Sequence, residues 1–254
     1  MRSYTVRPRE SALENILAYI QENHLDPGDR LPAEREMCEM WQMNRSTLRS
    51  ALSKLVQAGL LEVRHGSGIF LAPPKYMRML QGLTSFTTDA MLQNSINDSR
   101  LISLEHLECD KRLGKLLDLT LGTPVWNLVR LRHLNGRVLM IDSSYFSAVR
   151  FPNIDRFDFE TDSLYRVFEK EYGVIPTRGD ELIASTGASE EEAKLLEIGT
   201  GAPIFRIESK TCDQDGNMLE YTRSIARPDR VVLRSTLKRF PAEEGVEEDG
   251  HDRQ

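Results

Sequence analysis

Residues 31–71 read LPAEREMCEMWQMNRSTLRSALSKLVQAGLLEVRHGSGIFL. Pro32 stands where a proline is tolerated, in the first turn of a helix. That helix is expected to turn Met37, Met40 and Trp41 inward. Asn44 has the side chain of a good N-cap for the next helix. In this second helix Leu48, Leu52, Leu55 and Val56 make an apolar stripe, and Arg45, Arg49 and Ser53 recur on the opposite face. Gly59 ends it. Leu60 to Arg64 and Ile69 to Ala72 then read as two strands joined by His65-Gly66-Ser67-Gly68. Two short helices, a tight turn and a glycine-bearing hairpin, in that order, are the pattern of a winged helix-turn-helix, which implies a DNA partner.

Upstream, Leu13, Ile16, Leu17 and Ile20 recur at helical spacing, so a further amphipathic helix is expected from about residue 10 to 23, closed by Asp26-Pro27-Gly28-Asp29. A helix anchored by one face, with two arginines near its start, suits the major groove, where a guanidinium bonds guanine bidentately or clamps phosphate. Ser46 and Thr47 add hydroxyls beside the free N–H groups of the first turn, which suit phosphate oxygens. The glycines of the hairpin tip let it approach a backbone closely.

The chain has 254 residues and a net charge of −6, enough for two compact domains. Residues 1–75 hold ten basic and nine acidic side chains, and the remainder 23 basic and 30 acidic. DNA binding must therefore rest on local clustering and on dimerisation rather than on bulk charge. No run of eighteen apolar residues and no signal peptide is visible, which points to the cytoplasm and away from a membrane. Cys38, Cys109 and Cys212 are widely spaced with no CxxC pair, so neither a disulfide framework nor a zinc site is expected, and no cofactor.

Beyond Ala72-Pro73-Pro74-Lys75 the pattern alternates strands and helices. Leu101–Glu108, Val125–Leu134, Arg137–Ser147, Glu181–Ser185, Pro203–Cys212, Met218–Ser224 and Val231–Leu237 read as strands, and Asn135-Gly136 is a two-residue hairpin turn. Asp110–Leu119, Asp162–Tyr172 and Glu190–Ile198 read as helices. The fold class is α+β with an antiparallel sheet. Leu116-Leu117-Asp118 and Gly122-Thr123-Pro124 are echoed by Leu195-Leu196-Glu197 and Gly201-Ala202-Pro203, so the domain reads as two similar helix-plus-hairpin halves in one sheet. The expected organisation is a winged helix-turn-helix over 1–72, a linker over 73–82, the α+β domain over 83–240 and an acidic, frayed tail over 241–254.

Residues 5–72 resemble the N-terminal domain of the GntR family of bacterial transcription regulators. The landmarks are Leu31-Pro32-Ala33-Glu34-Arg35-Glu36, Arg45-Ser46-Thr47-Leu48-Arg49, Gly59-Leu60 and Gly66-Ser67-Gly68-Ile69-Phe70. The resemblance implies that Arg35, Arg45 and Arg49 contact DNA, that Thr47 beside Ser46 binds phosphate, and that His65 and Gly66 enter the minor groove. It also implies a homodimer on a palindromic operator.

Residues 83–238 resemble the UTRA domain, the effector-binding half of the HutC branch of that family, whose fold is chorismate-lyase-like. The carriers are Leu83-Thr84-Ser85-Phe86-Thr87, Val129-Arg130-Leu131-Arg132, Ser163-Leu164-Tyr165 and Glu220. The resemblance implies that Arg130, Arg132, Ser163, Tyr165 and Glu220 hold a small effector, often a phosphorylated sugar, with Ser85, Phe86 and Thr87 as further donors. Two guanidiniums on one strand face need something negative between them, a structural carboxylate or a ligand. Asp142 stands where relatives often have an acidic ligand. Strict pairing across the Asn135-Gly136 turn, however, puts Leu139 and Ile141 opposite the arginines and turns Asp142 to the other face, unless a bulge intervenes. Ala226 stands where many relatives carry tyrosine.

Two other classes compete with a ligand-released repressor. A chorismate-lyase-like enzyme would need a catalytic constellation, but His24, His65, His106, His133 and His251 are scattered and no nucleophile–base spacing is visible. A DNA-binding protein insensitive to ligand would need no cavity. The expected function is therefore transcription regulation without catalysis.

Overall fold

The computed structural model describes residues 8–64, 66–92 and 97–237. His65 and the acidic segment 241–254 lie outside the described residues.

Three helices, α1 (Pro8–Glu22), α2 (Glu34–Met40) and α3 (Arg45–Gln57), open the chain. Ala12, Ile16, Met37, Leu48, Ala51 and Leu52 form their shared core. Leu17 and Met40, expected inward, are instead 45% and 52% exposed. The buried row of α1 is set by Ala12 and Ile16, and Leu17 lies one helical step off it. In α2 Met37 is the fully buried residue, with Cys38 packed partly against the same core before the helix ends. Trp41, at the α2 C-cap, packs edge-on against Tyr19. Asn44 caps α3 by accepting the Thr47 N–H at 2.8 Å. Strands β1 (Leu61–Arg64) and β2 (Gly68–Leu71) form the wing.

The segment expected to be a linker contains a strand, β3 (Tyr76–Met79), which pairs in parallel with Val231–Arg234 near the other end of the domain. The sequence there alternates weakly because only Tyr76 of the strand is fully buried. Helix α4 (Phe86–Leu92) follows.

The rest is one six-stranded antiparallel sheet with helices on its faces. Its elements are β4 (Asn97–Glu108), α5 (Lys111–Leu117), β5 (Pro124–Leu134), β6 (Arg137–Ser147), α6 (Leu164–Tyr172), β7 (Pro176–Gly187), α7 (Glu190–Leu196), β8 (Pro203–Asp213) and β9 (Met218–Ala226). The paired strand Val231–Arg234 is β10. The order β4-β5-β6-β9-β8-β7 reads the same outward from the β6/β9 centre, as two equivalent halves require. The internal echo is structural: α5 ends at Asp118 and α7 at Glu197, both left-handed, with φ of 54° and 56°. β7 is longer than the expected Glu181–Ser185. As an edge strand paired only with β8 and largely exposed, it carries no apolar alternation to reveal its ends.

One sheet face packs Trp126, Leu128 and Phe146 against Phe151, Phe159 and the α6 residues Leu164, Val167 and Phe168. The other face packs Leu131, Ile141 and Ile225 under α7. The Asn135-Gly136 turn forms with φ of 50° and 73°. Beyond it the register shifts: His133 pairs with Val138, but Arg132 pairs with Met140 and Arg130 with Asp142. Leu139 is the extra residue of this bulge, and its carbonyl accepts the Arg227 N–H at 3.0 Å. Asp142 therefore lies on the same face as the two arginines, which corrects the strict-pairing expectation.

The winged domain seats directly on the sheet domain. Glu62 of β1 pairs with Arg137 beside the hairpin turn at 2.5 Å, and Lys75 Nζ donates to the Pro228 carbonyl at 2.9 Å. Gly59 packs so closely that an added Cβ would stand 2.1 Å from the Asp229 carbonyl oxygen.

Candidate DNA-reading surface and effector cavity

On α3 both arginines point to solvent, with side chains 74% (Arg45) and 64% (Arg49) exposed. Each donates through Nε to Glu34 of α2 at 3.1 Å. Partial burial works to raise the Glu34 pKa, but hydrogen bonds from Arg49 and Arg45 together outweigh it and hold the carboxyl below its usual range. Glu34 thus orients two guanidiniums whose remaining N–H groups stay free to bond elsewhere. Ser46 Oγ donates to Asn44 Oδ1 at 2.7 Å, so the Asn44 carbonyl holds both Ser46 and the Thr47 N–H. Arg35 is freely exposed, with only a long ion pair to Glu39 at 3.8 Å. A groove between α3 and the wing is lined by Arg30, Glu34, Arg49, Arg64 and Gly66. Gly66, at φ 73°, has nothing within 4 Å of an added Cβ. Arg30 and Glu34 were not singled out from the sequence. Their signal was the basic and acidic residues flanking Leu31-Pro32-Ala33.

The second site is a cavity of about 400 Å³ on the α6 face of the large sheet. The bulge in β6 adds Asp142 to its polar floor. Arg130 and Arg132 of β5, Asp142 of β6 and Glu220 of β9 all line it. Arg132 is committed: Nε donates to Asp142 Oδ2 at 2.8 Å and Nη1 to Ser99 Oγ at 2.7 Å, with Phe86 stacked 5.2 Å away. Asp142 also accepts Ser224 Oγ at 2.6 Å. Burial works against its ionisation, but Arg132 and Ser224 keep its pKa low.

Arg130 is different. It is 3% exposed, and its Nε and Nη1 have no hydrogen-bond partner. Burial and the adjacent Arg132 charge push its pKa down to about 9. A guanidinium with buried, unspent donors is costly by itself and well suited to an anion. Glu220, 2% exposed, is pushed up by burial, while the hydroxyls of Ser144, Thr222 and Tyr165 pull it back. Tyr165 Oη lies 3.4 Å from Thr211 Oγ1.

The roof comes from β3 and the segment after it. Ser85 and Phe86 line the cavity with Asp89, which shares a helical face with Phe86. Thr87 is not in the wall, because it follows Phe86 by one helical step and turns away. Ser163 is not in the wall either. It occupies the N-cap position of α6, whose first turn delivers Leu164 and Tyr165 instead. The hydroxyls of Ser144, Ser209, Thr211, Thr222 and Ser224 were not singled out from the sequence, nor was Arg78. Their signal was polar residues at every second position of otherwise apolar strands.

Among the described residues no group of His, Cys, Asp or Glu could hold a metal ion, and no helix is long and apolar enough to cross a membrane. Residues 8–71 match the family of bacterial regulatory proteins called gntR, and residues 94–232 match the UTRA domain. The chain belongs to the GntR family. Within it, the chain is 32% identical over 221 residues to the HTH-type transcriptional repressor NagR of Bacillus subtilis, spanning 87% of this chain and 90% of that one. It is 27% identical over 226 residues to a probable fructoselysine utilization operon transcriptional repressor of Escherichia coli, spanning 89% and 93%. The crystal structure of PhnF from Mycobacterium smegmatis superposes with a TM-score of 0.65 at 28% identity, covering 89% of this chain and 99% of that one. The winged domain is thus the GntR DNA-binding unit and the sheet domain the UTRA unit. These units and relatives regulate transcription.

Proposed function

We propose that this GntR protein is a repressor that binds a palindromic operator as a homodimer and is released by a phosphorylated sugar. The observation that carries the reading is Arg130, a buried guanidinium with two unspent donors over a floor of hydroxyls and carboxylates. A phosphate satisfies the guanidinium, and sugar hydroxyls pair with Glu220 and its neighbouring hydroxyls. A cavity of about 400 Å³ suits a ligand of that size. The E. coli relative named for fructoselysine utilization also points to sugar chemistry. On the DNA side, Arg35, Arg45 and Arg49 read or clamp the operator, with Ser46, Thr47 and Gly66 at its backbone.

Coupling runs through β3. It leaves the wing through Pro73 and Pro74, and its Tyr76 and Arg78 line the cavity. An effector that prefers one placement of β3 shifts the wings and weakens operator binding by its differential affinity for the two arrangements. Fluorescence anisotropy on the protein's own upstream DNA, at fixed salt, tests this against a panel of sugar phosphates and amino-sugar phosphates. Release by one of them, lost in Arg130→Gln, is the expected result. Release that survives Arg130→Gln removes the cavity assignment.

A further inference from the structure

We propose that Arg78 is a further anion-recognising residue of the cavity, held in check by Glu181, so that the Arg78–Glu181 pair is a clasp opened by the anionic group of the effector. The inference rests on the effector reading above and adds to it a residue and a competition. Four arginines line the cavity. Arg132 is spent on Asp142 and Ser99, Arg130 waits at the floor, and Arg178 lies exposed. Arg78 alone of these joins two separate sheets. It stands on β3, which pairs only with β10, and its Nη2 bonds Glu181 on β7, the edge strand of the large sheet. The pair therefore closes the cavity wall across a gap that, among the described residues, no backbone hydrogen bonds bridge.

The charge of Arg78 is felt inside. Burial raises the pKa of the Tyr76 and Tyr165 phenols, and Arg78 opposes that rise at both. The two partners of the clasp are 23% and 26% exposed, so the pair is partly screened and cheap to exchange. Glu181 also keeps a partner when Arg78 leaves, because Ser209 Oγ donates to it at 2.8 Å. A phosphate offers a guanidinium two parallel charge-assisted bonds and more negative charge than one carboxylate. With Arg130 below and Arg78 above, an anion would be held from two sides. Taking Arg78 from Glu181 would also unfasten β3, the strand that runs on to the wing, from β7.

The test is calorimetric titration of inorganic phosphate into the full-length protein at constant ionic strength. Wild type, Arg78→Gln, Glu181→Gln, the double variant and Arg130→Gln are compared, each checked for an unchanged circular dichroism spectrum. The clasp predicts about tenfold weaker binding in Arg78→Gln and about tenfold tighter binding in Glu181→Gln. The double variant should lose that gain, because the carboxylate matters only through Arg78. A gain that persists without Arg78 marks a general field effect and overturns the clasp. So does equal phosphate affinity in wild type and Glu181→Gln, while loss of binding in Arg130→Gln then leaves the anion site itself standing. Absence of phosphate binding to every one of these proteins overturns the clasp and the phosphate reading together.

Discussion

Arg130 and Glu220 are the residues at which this protein would trade stability for the proposed effector site. Arg130 is a base whose folded pKa is pushed down to about 9, by burial first and by Arg132 second. The cost is fully present below that value and is relieved as pH climbs above it. At pH 7 the whole cost stands, so Arg130→Met should be more stable than wild type by roughly 1–3 kcal/mol in urea unfolding while losing the effector response. A destabilised Met variant would show that the guanidinium is held by contacts worth more than its desolvation. Glu220 is an acid with a raised pKa, again from burial. Its contribution is most favourable below the usual carboxylate range and is lost as pH rises through the raised value. Glu220→Gln should therefore raise the unfolding midpoint at pH 7, with the gain closing toward pH 4. A gain that is the same at both pH values would rule out the titration as its source.

Among elements, α3, the proposed reading helix, is prepared by its neighbour. Glu34 of α2 holds Arg45 and Arg49 before any DNA arrives. Ordering a long side chain on binding costs on the order of 0.5–1.5 kcal/mol. Glu34→Ala removes a negative charge from the proposed DNA face, yet it should weaken operator binding several-fold by anisotropy at fixed salt, because both arginines lose their orientation. Tighter binding would mean that Glu34 merely competes with phosphate. Arg49→Ala should cost about 1–3 kcal/mol of operator affinity. In the wing, Gly68 has φ 119°, and an added Cβ would stand 2.9 Å from the Arg30 guanidinium. Gly68→Ala should consequently displace Arg30 from the groove and lower operator affinity along with stability.

For the whole molecule, on the proposed coupling, the seat between the domains decides what an effector can do. Glu62 and Arg137 tie the wing to the β5–β6 turn, and Lys75 and Gly59 meet the loop between β9 and β10. A rigid seat lets a change at β3 move the winged domain as a body. Arg137→Ala should leave ligand binding intact and shrink the effector-induced change in operator affinity, measured as the ratio of dissociation constants with and without effector. An unchanged ratio would place the coupling wholly in β3.

The order of residues alone determined the winged helix-turn-helix, because its caps, apolar stripe and glycine turn are local signals between neighbours in the chain. The two-fold echo of the second domain was legible for the same reason, as repeated helix ends at Asp118 and Glu197. The exposed faces of Leu17 and Met40 were not, since helical spacing says which residues share a stripe but not where a partner helix stops covering it. Tertiary structure alone decided the cavity proposed to hold the effector. A single bulged residue, Leu139, reverses the face of everything beyond it in β6 and brings Asp142 beside Arg132. Likewise β3 becomes a strand only because β10, from the far end of the domain, supplies the hydrogen bonds that its own sequence neighbours cannot.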